Sequence, residues 1–234
     1  MRALVLAALG SASGTRAFAQ VASRVSLQSN YEIRGISITD GRPIGELDLS
    51  YDFTSGIFLN GSAFGALSDH DHPGLAGFIG DAGYARRLNQ WLSADAGVTR
   101  TEYVGIGKNG VSTGYTEAYA GLTARHLSAR LYYSPDYFQS GAQTLYGELA
   151  GDIGLVAGIR LNAHLGALGY LRAGAGAPQN DVRYDWLIGA SRQFGAIDVH
   201  MSVSDGGPNA HYAYEPGDVP RYETVVILGI GYTF

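Results

Sequence analysis

The chain has 234 residues, no cysteine and a formal net charge of −5. That length suits one domain of the barrel or sandwich type, and the missing thiols exclude a disulfide framework, a cysteine-based zinc site and thiol chemistry. The acidic balance argues against nucleic acid and anionic lipid surfaces as partners.

The chain starts with a short positive pair, Met1 and Arg2, followed by an apolar run from Ala3 to Leu9 and an A-x-A site at Ala17-Phe18-Ala19. This is the layout of a secretory signal peptide over residues 1–19. Without Arg2 and Arg16 the remaining chain, 20–234, carries 14 basic against 21 acidic residues. No apolar run approaches the roughly 18 residues of a spanning helix. Mean hydropathy is near zero, as it also is for spanning β-strands, whose lipid-facing and lumen-facing residues alternate.

From residue 25 onward the pattern has period two. Val25, Leu27, Ser29, Tyr31 and Ile33 share one face, and Gln28, Asn30, Glu32 and Arg34 the other, which predicts a first strand through residue 34. Leu47, Leu49, Tyr51 and Phe53 oppose Glu46, Asp48, Ser50 and Asp52 in the cleanest alternation of the chain. Further strands are expected near 57–67, 75–85, 91–102, 115–124, 127–134, 143–151, 155–168, 181–191, 196–205 and 222–234. Outward sets such as Leu92/Ala94/Ala96/Val98, Tyr184/Trp186/Ile188/Ala190 and Ile197/Val199/Met201/Val203 are apolar. The connections alternate long and short. The short ones fall at 54–56, 86–90, 125–126, 152–154 and 192–195. An even number of strands, about twelve, with short periplasmic turns and longer extracellular loops is the arrangement of an antiparallel transmembrane β-barrel of the Gram-negative outer membrane.

The last strand ends VVILGIGYTF. Val226, Leu228, Ile230, Tyr232 and Phe234 form a greasy face, and Gly229, Gly231 and Thr233 a small one. An exposed apolar edge invites aggregation in a soluble protein, whereas a strand that closes a barrel in lipid leaves no edge. Gly229, Tyr232 and Phe234 resemble the terminal signal read by the barrel-assembly machinery, with Ile227 where a polar residue often stands.

Three stretches, NYEIRGISITDGRP (Asn30 to Pro43), YSPDYF (Tyr133 to Phe138) and the closing strand, resemble the TorF family of proteobacterial outer-membrane porins. In the first of them the family reads close to NYxFRGIS-TD-x-P; here Glu32 and Ile33 stand where an aromatic is usual. The resemblance spans nearly the whole chain and implies a non-enzymatic channel in outer-membrane lipid that passes small solutes or ions.

Projected inward, the polar faces supply a candidate pore lining of Glu46, Asp48, Asp52, Asp95, Glu117 and Glu148 with Arg130 and Arg160. Glu32, Asp81, Asp185 and Asp198 point the same way, as do Arg34 and Arg183. An excess of carboxylates makes an aqueous path favour cations. Eight strands are just filled by side chains and sixteen leave a wide channel, so twelve leave two readings open, a narrow cation-preferring pore and a plugged barrel that binds partners through its long loops. No cofactor is expected. Asp69-His70-Asp71-His72 has metal-ligand chemistry, but adjacent residues in one loop seldom close a site. Gly105 to Gly110 spells G-x-G-x-x-G without the following helix a dinucleotide site needs. Asp198, His200 and Ser202 share a face, but residues two apart on a strand lie nearly 7 Å apart, and a nucleophile must reach its base. Their expected role is polar lumen lining, leaving an outer-membrane hydrolase as the least favoured reading. Tyr51, Tyr84, Trp91, Tyr103, Tyr115, Tyr133, Trp186 and Tyr232 lie near strand ends, where aromatic girdles form, and some of them are expected to line the lumen or pack in loops instead.

Overall fold

The computed structural model describes residues 20–39, 41–67, 73–104, 113–138, 140–172, 182–207 and 224–234. The signal segment 1–19, the Asp69 to His72 cluster, Gly105 to Gly110 and most of the loop 206–221 lie outside the described residues.

The strands are β1 (Gln20–Gln28), β2 (Glu32–Ile33), β3 (Ile36–Ser37), β4 (Ile44–Asp52), β5 (Ile57–Leu67), β6 (Pro73–Arg87) and β7 (Leu92–Tyr103). They continue as β8 (Thr113–Ala124), β9 (Leu127–Ser134), β10 (Gln143–Gly154), β11 (Ile159–Arg172), β12 (Val182–Phe194), β13 (Ile197–Gly207) and β14 (Val225–Thr233). Twelve of them close into one antiparallel barrel, in which β1 pairs with β4 on one side and β14 on the other; β2 and β3 form a separate two-stranded sheet. Closure pairs the strand edges all round, the condition a sheet must meet in hydrocarbon.

Two ends result. At the turn end, where β1 begins and β14 finishes, the connections are short: 53–56, 88–91, 125–126, 155–158 and 195–196. At the loop end they are longer. Alternation places Leu49, Leu122, Leu165, Ile188, Met201 and Leu228 on the outside, each at least half exposed, as lipid contact requires. Large inward side chains lie over glycines of the neighbouring strands. A Cβ on Gly166 would stand 2.2 Å from the Tyr146 hydroxyl, and one on Gly229 2.1 Å from His200 Nε2.

Several strand ends differ from the sequence expectation, and two of the differences matter most for the fold. The turn expected at 152–154 lies at 155–158, because Asp152, Ile153 and Gly154 still pair with Asn162, Leu161 and Arg160. A 3-10 turn then reverses the chain, with Ala157 and Gly158 at φ 60° and 72°. The first strand stops at Gln28 instead of running to residue 34, and the chain turns into the barrel.

Candidate functional site in the barrel lumen

Residues 29–39 leave β1 at the loop end and fold inward as the β2–β3 hairpin. Arg34 and Gly35 have φ of 52° and 73°, the two-residue turn whose twist suits a tight hairpin. Glycine is required at 35, since a Cβ there would stand 2.7 Å from Gly206 Cα on β13. At the root, the Asn30 side-chain oxygen accepts bonds from Ser37 Oγ (2.7 Å), Thr39 Oγ1 (2.9 Å) and Gly41 N (3.3 Å). Tyr31 N donates to Thr39 Oγ1 at 3.0 Å. The NYEIRGISIT stretch is therefore a self-knotted unit carried inside the barrel.

Its tip crosses the lumen. Arg34 Nη2 donates to both Glu117 oxygens, at 2.9 and 2.8 Å. The guanidinium carbon lies 3.9 Å from the Tyr146 ring centre, 5.4 Å from Tyr137 and 5.7 Å from both Tyr115 and Tyr132. Arg183 Nη2 donates to the Arg34 carbonyl at 3.3 Å. Burial disfavours the Arg34 charge, but Glu117 and the surrounding tyrosines outweigh it and keep the group protonated well beyond its ordinary range. On the other arm, the Ser204 hydroxyl donates to the Glu32 carboxylate.

Above this tip the lumen is aromatic. Tyr31 stacks on Phe64 with ring centres 4.9 Å apart, at a bulge between Phe64 and Gly65 in the β5–β6 register. Tyr103, Phe138, Tyr115 and Tyr137 continue the cluster with centres 4.6 to 5.9 Å apart. Toward the turn end it becomes polar. Arg24 pairs with Asp198 at 2.8 Å, and Arg130 with Asp95 at 2.9 Å. Asp48 accepts from Ser62 (2.6 Å), and Asp81 from Asn60 (3.1 Å) and Tyr119 (3.0 Å).

The expected lining residues fall in three settings. Asp48, Asp95 and Arg130 lie in the polar half, with Asp52 at its rim. Glu46 bonds to Gln28 (3.4 Å) and Glu148 to Tyr132 (3.0 Å), nearer the aromatic half. Glu117 is consumed by Arg34. Arg160, 3.9 Å from Asp152 with its side chain 66% exposed, sits at the turn-end rim. Arg34 and Glu32, expected on a wall strand, belong to the hairpin. Tyr103 and Tyr115, two of the strand-end aromatics, point inward and are buried, because the cluster around the hairpin supplies apolar partners there. Tyr84, Trp91, Tyr133, Trp186 and Tyr232 are exposed on the outside.

Sequence reasoning missed Arg24, although parity with Ser26 and Gln28 places it inward. It also missed His164, 2.7 Å from Asp185, and Tyr146, which bonds to both. Asp198 and His200 do meet, at 3.2 Å, because their side chains lean toward each other. Ser202 Oγ is buried without a hydrogen-bond partner among the described residues, so no nucleophile–base contact with His200 forms there. At the seam, Tyr232 and Phe234 rings lie 6.1 Å apart, and Phe234 N and O bond to Ser23.

A family model described as a bacterial protein of unknown function (Gcw_chp) matches residues 11–234; that description carries kinship with a bacterial family but not the TorF name. No curated protein matches the chain. Among solved structures, the NanC porin aligns with TM-score 0.58 at 10% identity, over 91% of this chain and 99% of that one. The KdgM porin in complex with disordered oligogalacturonate aligns with TM-score 0.53 at 15% identity, over 92% and 98%. The COG4313 outer membrane channel from Pseudomonas putida F1 gives 0.53 at 14%, over 95% and 99%. At such identities the likeness shows the fold: a barrel of the outer-membrane porin type.

Proposed function

We propose, from the premise that this chain belongs to the Gcw_chp family of bacterial proteins of unknown function, that it is an outer-membrane channel for passive diffusion of small polar solutes or ions, narrow and cation-preferring. In that setting the turn end faces the periplasm and the loop end the exterior, the arrangement of short turns and longer loops in outer-membrane barrels. One observation carries the charge preference. Asp48, Asp81 and Glu148 are held by neutral donors, Ser62, Asn60, Tyr119 and Tyr132, so their charge acts on the aqueous path. Of the inward arginines, Arg24, Arg34 and Arg130 are each matched by a carboxylate, and the buried Arg183 donates to the Arg34 carbonyl. Unmatched carboxylates lining a pore favour cations. The test is incorporation of the purified barrel into planar bilayers, where discrete conductance steps are expected. A silent bilayer with folded protein would overturn the reading.

The filled loop-end half favours a second reading, a plugged barrel that works through its loops. A silent bilayer is its expected outcome. A hydrolase finds no support in the Asp198–His200 pair, since Ser202 does not join it.

Assembly is part of the same proposal. Phe234 and Tyr232 present the terminal signal to the barrel-assembly machinery, and deleting Phe234 should lower the yield of folded, heat-modifiable barrel more than Phe64→Ser does. Equal yields would contradict that role.

A further inference from the structure

Arg34 occupies a cage whose other members all stand outside the hairpin. Glu117 and Tyr115 stand on β8, Tyr132 on β9, Tyr146 on β10, and Tyr137 in the connection between β9 and β10. β8, β9 and β10 are hydrogen-bonded neighbours in the wall, so the scaffold that carries Glu117, Tyr115, Tyr132 and Tyr146 is not part of the hairpin. Four aromatic rings around one carboxylate is the chemistry that recognises an organic cation. Glu117 is 2% exposed, and among the described residues its ion-pair partner is Arg34.

The occupant is held less firmly than the cage allows. The hairpin has two residues per strand and joins no barrel strand, and two-stranded hairpins are marginal on their own. Arg34 adopts a left-handed φ of 52°, which side chains other than glycine, Asn and Asp rarely take. Its tether also gives an imperfect fit. Nη2 alone serves both Glu117 oxygens, while Nη1 is buried with no hydrogen-bond partner among the described residues. An untethered guanidinium can set two nitrogens on the two oxygens, the stronger fork-to-fork arrangement.

We propose that the Glu117–tyrosine cage is a binding site for guanidinium-bearing solutes, and that Arg34 is its built-in stand-in, displaced when such a solute enters. The site deepens the cation-preferring channel reading and rests on it for access, but binding can be measured with no current at all.

The experiment is calorimetry on folded barrel in detergent with ethylguanidinium as the probe. Arg34→Ala should bind it saturably. The double variant Arg34→Ala/Glu117→Gln should bind at least about tenfold more weakly, because the charge-assisted pair is lost. Ethylammonium, a point charge that cannot fork, should bind more weakly than ethylguanidinium. No saturable binding to Arg34→Ala, or equal binding by the double variant, overturns the proposal. If Arg34→Ala gives no folded barrel, the wild-type hairpin decides. The chain has no cysteine, and Ile36 is buried in the docked hairpin. Maleimide labelling of Ile36→Cys should accelerate severalfold with ethylguanidinium, and an unchanged rate overturns the site. Binding in detergent together with a silent bilayer would sink the channel and leave the cage standing.

Discussion

The loop-end and turn-end halves of the lumen are lined by the same wall strands and differ in what fills them. Toward the loop end, Phe64, Tyr103 and Tyr115 have Tyr31 and the hairpin to pack against, and all four are 4% exposed or less. Toward the turn end, Asp48, Asp81, Asp95 and Asp198 meet serine, asparagine, tyrosine or arginine side chains, and no second layer of chain lies over them among the described residues. An inward residue in a twelve-stranded barrel has too much space to be filled from the wall alone. It packs where a loop folds in, and it stays polar where none does. The hairpin thus makes the difference between the halves, and altering it should erase that difference.

The largest effect is expected from removing it. Replacing residues 31–38 by a short Gly-Ser linker should leave the closed barrel folded and raise single-channel conductance severalfold. Unchanged conductance would mean that the hairpin does not set the constriction. Next comes Glu117→Gln, which keeps the shape and removes the charge that holds Arg34. Leaving a buried charge without its partner costs roughly 3–5 kcal/mol, enough to undock the hairpin. Proteolytic or thiol access to the hairpin should rise sharply, with little change in barrel melting. The turn-end half should respond differently. Asp48→Asn with Asp52→Asn should leave the conductance step nearly intact and weaken cation preference, an effect that high salt masks by screening.

The smallest effect concerns pH. Burial pushes the Glu32 carboxyl above its ordinary value of 4.5, the Ser204 hydroxyl pulls it part of the way back, and Asp205 and Asp185 add to the upward push. The docked hairpin therefore holds this proton more tightly than a released one, so protonation favours docking. Docking is weakest when Glu32 is ionised and strengthens as pH falls from neutral toward the ordinary carboxylate range. Conductance should decline modestly over that window, and Glu32→Gln should flatten the decline. A rise on acidification would reverse the assigned sign.

The sequence shows the wall more clearly than what lies inside it. Alternation such as Leu47 to Phe53 marks a strand with one face in lipid, and the short turns set the parity; both survive in the closed barrel. The hairpin was missed because Ser29, Tyr31 and Ile33 continue the alternation of Val25 and Leu27, so the period alone cannot show where the strand leaves the wall. The local clue was Arg34-Gly35, a residue-glycine pair between short apolar-polar segments, which is hairpin turn chemistry. For a related reason, the sequence does not say which of the strand-end aromatics, among them Tyr103 and Tyr115, leave the girdle for the lumen. An aromatic near a strand end suits an interface or an inner cluster equally well, and only the infolded chain decides between them. The Arg34–Glu117 pair joins residues 83 positions apart, a contact set by closure of the barrel and by no local pattern.

The central claim is that this lumen conducts and that its carboxylates set the sign of the preferred ion. The most direct measurement is the reversal potential of the purified wild-type barrel in a planar bilayer under a salt gradient at low ionic strength. Discrete steps are expected, with a reversal potential displaced toward the cation equilibrium value. A displacement toward the anion value, or folded protein that passes no current, would contradict it.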